Sequence, residues 1–159
     1  ALGSDLIRFY FGTDLIGNEI GAAAINVVGI AAGMLDAYSL TALKGALLAR
    51  APRELSLLVV AMCGNEQTPY GLSHLGDYEA TLFSPHSHNR QFGENFVRGI
   101  PTKKLAEGVP TLKALTLLGE QYSVDLPICR CLYSALIEGK NPRSELNRLF
   151  ERPLKSEFI

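Results

Sequence analysis

The stretch Glu19–Met34, EIGAAAINVVGIAAGM, decides how this chain folds. It is almost entirely small or apolar, which predicts a helix buried in the core of the domain. Asn18 can cap the N-terminus of such a helix, and we expect the helix to end at about Asp36 or Ala37. Its many glycines and alanines would let neighbouring helices approach it closely.

One residue of this stretch, Asn26, does not fit an apolar helix. Leaving a buried amide unpaired costs about 1–3 kcal/mol. We therefore expect Asn26 either to hydrogen-bond a neighbouring loop or to face a cavity. The pattern alone favours the structural role over a functional one, and Ile25 beside it brings no polar chemistry of its own.

The size and charge of the chain exclude some classes of protein. The chain has 159 residues, 47% of them hydrophobic, and 15 Lys and Arg against 16 Asp and Glu give a formal net charge of −1. This suits one domain with a sizeable core and argues against a general nucleic-acid binder, although not against a small anionic ligand. An odd number of cysteines without a C-x-x-C spacing (Cys63, Cys129 and Cys131) predicts reduced core residues of a cytoplasmic protein.

Two apolar segments were weighed as targeting or membrane sequences. The first residues, ALGSDLIRFYFG, lack a basic region followed by a long apolar core, and Arg8 interrupts them, so no signal peptide is expected. The run Ala22–Leu35 is shorter than a bilayer and contains an amide and two glycines. We expect a buried helix there and not a membrane span.

The rest of the chain predicts an all-α fold with one stray strand. Leu6–Asp14, LIRFYFGTD, is typical of a strand, and its partners are expected outside this chain because the later segments look helical. A second helix is expected at Thr41–Met62, with a kink or break before Pro52 and an end at Cys63-Gly64. The Ser/Thr/Asn-Pro pairs predict helices that start after Thr68-Pro69, Ser84-Pro85 and Asn141-Pro142. Two more helices are expected at Pro110–Tyr122 and Pro127–Glu138.

The segment Gly71–Glu94, GLSHLGDYEATLFSPHSHNRQFGE, is unusually polar for the middle of an apolar domain. In a helix, Asp77 and Thr81 would point to the same side. The hydroxyl, amide and guanidinium groups that follow suit a phosphate or sulfate near a helix start, but the pattern alone favours a solvated loop. No metal site is predicted, because only His74 remains as a third imidazole beside His86 and His88.

Four segments together resemble one family in order and spacing. They are DLIGNEIGAAAINVVGIAAGMLD (14–36), HLGDYEATLFSPHSHNRQFGE (74–94), AEGVPTLKAL (106–115) and DLPICRCLYSALIEGKNPRSEL (125–146). They resemble the C-terminal domain of bacterial NAD(P)-dependent glycerol-3-phosphate dehydrogenase, over residues 14 to about 152.

The resemblance implies a fold and a division into domains. It implies a helical C-terminal domain of the 6-phosphogluconate dehydrogenase-like type, next to an N-terminal Rossmann domain. Residues 1–14 would then end the Rossmann domain, and residues 15–159 would form the substrate-binding domain. NAD or NADP would be bound mainly by the other domain, since this sequence contains no G-x-G-x-x-G. The expected partners are a small phosphorylated substrate and a second copy in a homodimer.

The resemblance also implies a reaction. The family reduces dihydroxyacetone phosphate to sn-glycerol 3-phosphate with NAD(P)H, for glycerophospholipid synthesis, and a Lys-Asn pair on the first helix lies at the reacting carbonyl. The matching pair here is Ile25-Asn26. The asparagine is kept and now suggests a functional origin, whereas an isoleucine cannot donate a proton.

Other residues match the family unevenly. Asp77 matches a catalytic aspartate, and Thr81 matches a hydroxyl near the substrate. Ser87-His88-Asn89 replaces a substrate-binding Ser-Arg-Asn run, and its middle position lies near phosphate and cofactor. His88 lacks the permanent charge and the planar fork of arginine, and the neighbouring Arg90 points in another direction.

Glu107 matches a glutamate near the cofactor. Three hypotheses follow: a divergent dehydrogenase domain that is inactive in isolation, a catalytically disarmed paralogue that binds a metabolite or nucleotide, and an interaction module that uses only the scaffold.

Overall fold

The computed structural model describes residues 9–102, 104 and 106–151 of the chain. Within these ranges the fold is all-α, as predicted. The helices are α1 (Leu15–Ala37), α2 (Lys44–Ala61), α3 (His88–Arg98), α4 (Gly108–Gln121), α5 (Pro127–Leu136) and α6 (Pro142–Phe150). Short 3₁₀ turns occupy Thr41–Leu43, Thr68–Tyr70 and Leu75–Asp77, and Glu79–Phe83 is a single π-helical turn.

Helix α1 begins four residues before the predicted start, because Asp14 and not Asn18 caps it. The Asp14 carboxylate accepts a hydrogen bond from the Gly17 amide at 3.0 Å, while the Asn18 side chain donates to the Asp14 carbonyl at 2.7 Å. The same carboxylate accepts from the Thr68 hydroxyl at 2.6 Å and from the Asn65 amide at 2.9 Å. These bonds lower the pKa of Asp14 and fasten the start of α1 to the loop after α2.

Helix α1 is the central element of the fold, as its composition predicts. Its residues from Val27 to Leu35 are all buried, and α2, α3 and α4 pack around it. At 23 residues it is long and apolar enough to cross a membrane by length and composition alone. The apolar run Ala22–Leu35 lies inside this longer helix. Two-thirds of its most apolar window is nevertheless buried inside the domain, as in a core helix.

Two glycines let α1 and α3 cross with their backbones in contact. A Cβ atom at Gly33 would lie 1.8 Å from the carbonyl oxygen of Arg90, and one at Gly93 would lie 2.1 Å from the carbonyl oxygen of Ile30. No side chain fits at either place. This crossing fixes α3, and the residues at its start, relative to α1.

Helix α2 carries a buried carboxylate that caps α5. The Glu54 side chain accepts hydrogen bonds from the backbone amides of Ile128 at 2.8 Å and Cys129 at 3.2 Å, in the first turn of α5. Burial raises the pKa of Glu54 to about 7. Pro52 lies inside α2, which continues unbroken, so the predicted break was wrong and the chain instead turns earlier, at Thr41–Leu43.

Three further expectations need correction. Residues 9–14 form no strand within the described part of the chain, because the other described residues are in helices and turns and offer no strand partner; Leu6–Arg8 lie outside the described residues. Ser84-Pro85 forms a turn and starts no helix, since α3 begins only at His88. Cys63 is exposed in a left-handed turn, whereas Cys129 and Cys131 are buried as predicted.

Candidate active site

The segment before α3 runs alongside α1 in the same direction. A Cβ atom at Gly21 would lie 3.1 Å from the Ser73 hydroxyl and 3.2 Å from the His74 Cβ. Two helical turns later, a Cβ at Gly29 would lie 3.1 Å from the methyl group of Thr81. The two segments are therefore in contact at both ends of this stretch.

Position 25 lies in the middle of this contact. Ile25 is one turn from both Gly21 and Gly29, on the same face of α1, and Asp77 is halfway along the opposing segment. An even register between these two contacts would bring Asp77 opposite the turn of α1 that holds Ile25. Ile25 is only 5% exposed and belongs to the apolar core, so the surface of α1 is apolar where the family resemblance implies a lysine.

Asp77 and Thr81 lie on the same side, as their spacing predicts. The Thr81 hydroxyl donates a long hydrogen bond of 3.4 Å to the Asp77 carboxylate. Asp77 ends a 3₁₀ turn and is exposed, while Thr81 lies within the π-helical turn. Single π-helical turns frequently occur at functional sites.

Asn26 is paired through Asn89 to the start of α4. The Asn89 amide donates to the Asn26 side-chain oxygen at 2.7 Å, and the Asn89 oxygen accepts from the Gly108 backbone amide at 2.9 Å. Asn89 is 8% exposed, so this bridge joins α1, α3 and α4 inside the domain. Of the two expectations for Asn26, the hydrogen bond to a neighbouring element is what the structure shows.

The start of α3 carries an exposed pair of basic side chains. The Ser87 hydroxyl caps the helix by accepting from the Arg90 amide at 3.3 Å. The Lys104 ammonium lies 3.1 Å from Nε2 of His88. Because an ammonium only donates, Nε2 accepts and Nδ1 of the neutral ring carries the hydrogen. No local spacing in the sequence relates Lys104 to His88, so this contact could not be predicted.

Arg90 belongs to an ion-pair cluster at the end of α1. Its Nε donates to Asp36 at 2.7 Å, at the end of α1, and Asp36 also accepts from the nearly buried Lys44 at 2.6 Å. Lys44 in turn donates to the Leu82 carbonyl at 3.0 Å. This ion-pair cluster fastens both α3 and the π-helical turn to α1.

Glu107, the remaining predicted site residue, lies directly before Gly108 and the Asn89 bridge. Its side chain is exposed and makes no capping hydrogen bond to α4. The carboxylate therefore lies beside the bridge with its oxygens open to solvent.

Sequence reasoning missed a buried His74–Tyr78 pair in the segment beside α1. His74 is fully buried, with Nδ1 2.9 Å from the Gly21 carbonyl oxygen and Nε2 2.7 Å from the Tyr78 hydroxyl. Burial lowers the pKa of His74 to about 4. The four-residue spacing of His74 and Tyr78 in the sequence was the signal that could have predicted this pair. Among the described residues, no group of three His, Cys, Asp or Glu side chains converges as metal ligands do.

A separate surface cleft of about 870 Å³ lies between α4, α5 and α6 and is lined by none of the predicted site residues. Four of its charged side chains form two ion pairs, Arg130–Asp125 at 3.2 Å and Lys140–Glu138 at 2.6 Å. The polar residues along α1, and not this cleft, make up the candidate site.

The fold and these residues define the helical C-terminal domain of a dehydrogenase. The sequence profile described as "NAD-dependent glycerol-3-phosphate dehydrogenase C-terminus" matches residues 14–147, and the chain belongs to this family.

The relatives agree with this membership over most of the chain. The chain is 38% identical to a glycerol-3-phosphate dehydrogenase [NAD(P)+] of Thermus thermophilus and 39% identical to that of Oleidesulfovibrio alaskensis, over 94% and 96% of its length. The crystal structure of glycerol-3-phosphate dehydrogenase from Coxiella burnetii superposes with a TM-score of 0.87 at 28% identity, over 95% of this chain and 49% of that one. The chain thus spans about half the length of the relatives it matches.

Proposed function

We propose that this chain supplies the substrate-binding half of an NAD(P)-dependent glycerol-3-phosphate dehydrogenase. The reaction is the reversible reduction of dihydroxyacetone phosphate to sn-glycerol 3-phosphate. The observation that supports the proposal is the contact of α1 with the segment before α3 at both Gly21 and Gly29, from which we infer that Asp77 lies level with position 25. Asn26, the next residue of α1, is hydrogen-bonded to Asn89. Family membership supports it independently.

Each group of the substrate has a counterpart in this arrangement. Asp77 and Thr81 offer an acceptor and a donor for the substrate hydroxyl. The His88–Lys104 pair and the start of α3 offer positive charge and donors for a phosphate. His88 and Lys104 are exposed and the Lys104 ammonium is positively charged, so this pair fits a phosphorylated ligand.

A nicotinamide dinucleotide, when bound, supplies the hydride. From this chain, the exposed His88–Lys104 pair would reach its phosphates, and Glu107, at the start of α4, would border it. The cationic pair suits the anionic pyrophosphate, which supports this assignment. The main dinucleotide surface is expected on another domain.

The proton that completes the reduction has no donor at position 25. A hydride that adds to a carbonyl carbon leaves negative charge on the oxygen, which must then be protonated. Ile25 has no titratable group, and the Asn26 amide can hydrogen-bond the oxygen but cannot protonate it. General acid catalysis contributes about 10²–10⁴-fold in rate, so we propose that the 159-residue chain alone is inactive.

Ligand binding by the chain tests the proposal. Glycerol 3-phosphate added to ¹⁵N-labelled protein is expected to shift the amide resonances of Asp77, Ser87 and Asn89 in NMR spectra. Asp77→Ala is expected to weaken this binding, whereas Glu66→Ala, a change in the exposed turn after α2, is not. Shifts confined to the cleft between α4 and α5 would contradict the proposed site.

A second candidate function is a disarmed paralogue that binds a metabolite or nucleotide without turnover. Two observations favour it: Ile25 is packed into the apolar core, and Arg90 is held by Asp36. Turnover before any change separates the two candidates once a relative supplies the dinucleotide-binding half. A divergent dehydrogenase reduces dihydroxyacetone phosphate slowly as it is and faster after Ile25→Lys, whereas a disarmed paralogue turns over only after Ile25→Lys.

A further inference from the structure

We infer that His74 and Tyr78 are positioning residues that hold Asp77 at the level of position 25. This inference rests on the proposed function, because it concerns the geometry of the same site. The two side chains form a buried chain of hydrogen bonds, Tyr78 to His74 to the Gly21 carbonyl, that ties the segment carrying Asp77 to α1.

The segment that carries Asp77 needs such a tie because its own structure is weak. It consists of a three-residue 3₁₀ turn, Leu75–Asp77, followed by the π-helical turn Glu79–Phe83. Such turns have poorer hydrogen-bond geometry than an α-helix and are used in short pieces. The position of Asp77 is therefore determined by contacts with the rest of the domain.

The hydrogen bonds of the pair have a fixed direction. The Gly21 carbonyl can only accept, so Nδ1 of His74 must carry the hydrogen, and Nε2 then accepts from the Tyr78 hydroxyl. The two rings also meet edge to face, 4.9 Å apart at 72°. Burial keeps the imidazole neutral by lowering its pKa to about 4, so this arrangement persists at neutral pH.

The attachment point on α1 is one helical turn before position 25. The Gly21 carbonyl belongs to the turn whose next residue on the same face is Ile25. Glycine gives a close fit there, since a Cβ atom would lie 3.1 Å from the Ser73 hydroxyl and 3.2 Å from the His74 Cβ. Tyr78 is adjacent to Asp77 in the sequence. One end of the chain of hydrogen bonds therefore lies beside Asp77, and the other end, at Gly21, lies one helical turn from position 25.

The test measures how strongly position 25 and Asp77 interact. In the full 159-residue chain, Ile25→Lys introduces an ammonium, and ¹³C NMR follows the titration of the Asp77 carboxyl. An opposite charge within about 4–6 Å lowers a carboxyl pKa by about 1–3 units, and we expect a fall of this size. Adding Tyr78→Phe, which removes only the hydroxyl, is expected to reduce the fall by more than half.

Tyr122→Phe is the matched control, because this half-exposed tyrosine lies at the end of α4, away from the site. Added to Ile25→Lys, it is expected to leave the full pKa fall of Asp77. An equal fall with Tyr78→Phe would overturn the positioning role and leave the proposed site intact. No fall with Ile25→Lys alone would show that Asp77 does not face position 25, which overturns both.

A measurement on the unmodified chain covers the case in which the Tyr78 variant does not fold. The ¹⁵N shifts of the His74 ring identify which nitrogen carries the hydrogen. The inference requires a pyrrole-like Nδ1 and a pyridine-like Nε2. The opposite tautomer, or a freely exchanging ring, would mean that His74 does not hold Gly21 and would overturn the inference.

Discussion

Two buried groups, Glu54 and His74, are expected to make opposite contributions to the pH dependence of stability. Burial raises the pKa of Glu54 from 4.5 to about 7, and burial lowers the pKa of His74 from 6.5 to about 4. One pKa unit corresponds to about 1.4 kcal/mol. Each shift is therefore equivalent to roughly 3 kcal/mol in the free energy of unfolding.

The signs follow from which state binds the proton first. As the pH falls from 7 towards 4.5, folded Glu54 takes up its proton before the unfolded chain does, so the folded state gains stability. His74 behaves in the opposite way, because the unfolded chain binds a proton below pH 6.5 while the folded chain resists until about pH 4. In the unmodified chain the two contributions nearly cancel.

Glu54→Gln removes one contribution and exposes the other. Relative to the unmodified chain, its free energy of unfolding is expected to fall by roughly 3 kcal/mol more between pH 7 and pH 4, because only the His74 contribution remains. His74→Asn is expected to change the slope in the opposite direction. Urea unfolding at a series of pH values measures both, with Glu66→Gln, at an exposed turn, as the control.

The comparison of slopes makes this reasoning refutable. If the Glu54→Gln profile ran parallel to that of the unmodified chain, Glu54 would not titrate near neutral pH in the folded domain. If Glu54→Gln and His74→Asn changed the slope of stability against pH in the same direction, the assignment of opposite pKa shifts to Glu54 and His74 would also be refuted.

Three other predictions concern packing and polar contacts, each measured by urea unfolding. Gly93→Ala forces a Cβ atom against the Ile30 backbone and is expected to lower the free energy of unfolding by about 1–3 kcal/mol. Gly45→Ala, in open space on α2, is the control and should raise it by about 0.5–1 kcal/mol. Equal effects of the two changes would contradict the close crossing of α1 and α3. Asn89→Ala leaves the Gly108 amide without its partner and should cost about 1–3 kcal/mol, and a neutral result would mean that the bridge is absent. Asp36→Asn leaves the nearly buried Lys44 without its charge partner and should cost about 3–5 kcal/mol, so a loss below 1 kcal/mol would show that this ion pair is not formed.

The features that could be predicted from the sequence are those that depend on local pattern. The apolar run of α1 and the Asn141-Pro142 signal before α6 both gave helices where expected. The spacing of Asp77 and Thr81 likewise predicted side chains on one side. In each case the interacting groups lie within a few residues of one another.

The features that were missed depend on contacts between distant parts of the chain. Asp14 replaces Asn18 as the cap of α1 because its carboxylate also binds Asn65 and Thr68, about fifty residues later. The partner of Asn26 is Asn89, which no pattern along the chain identifies. The direction of Arg90 is likewise decided by Asp36, at the far end of another helix.

The central claim is that position 25 decides whether this domain supports catalysis. The direct measurement joins the chain to the half of the Thermus thermophilus relative that it does not span. NADH- and NADPH-dependent reduction of dihydroxyacetone phosphate is then compared with and without Ile25→Lys. We predict that Ile25→Lys raises the rate by about 10²–10⁴-fold. Equal rates for the two proteins, with turnover clearly above background, would contradict the claim and place the proton donor elsewhere.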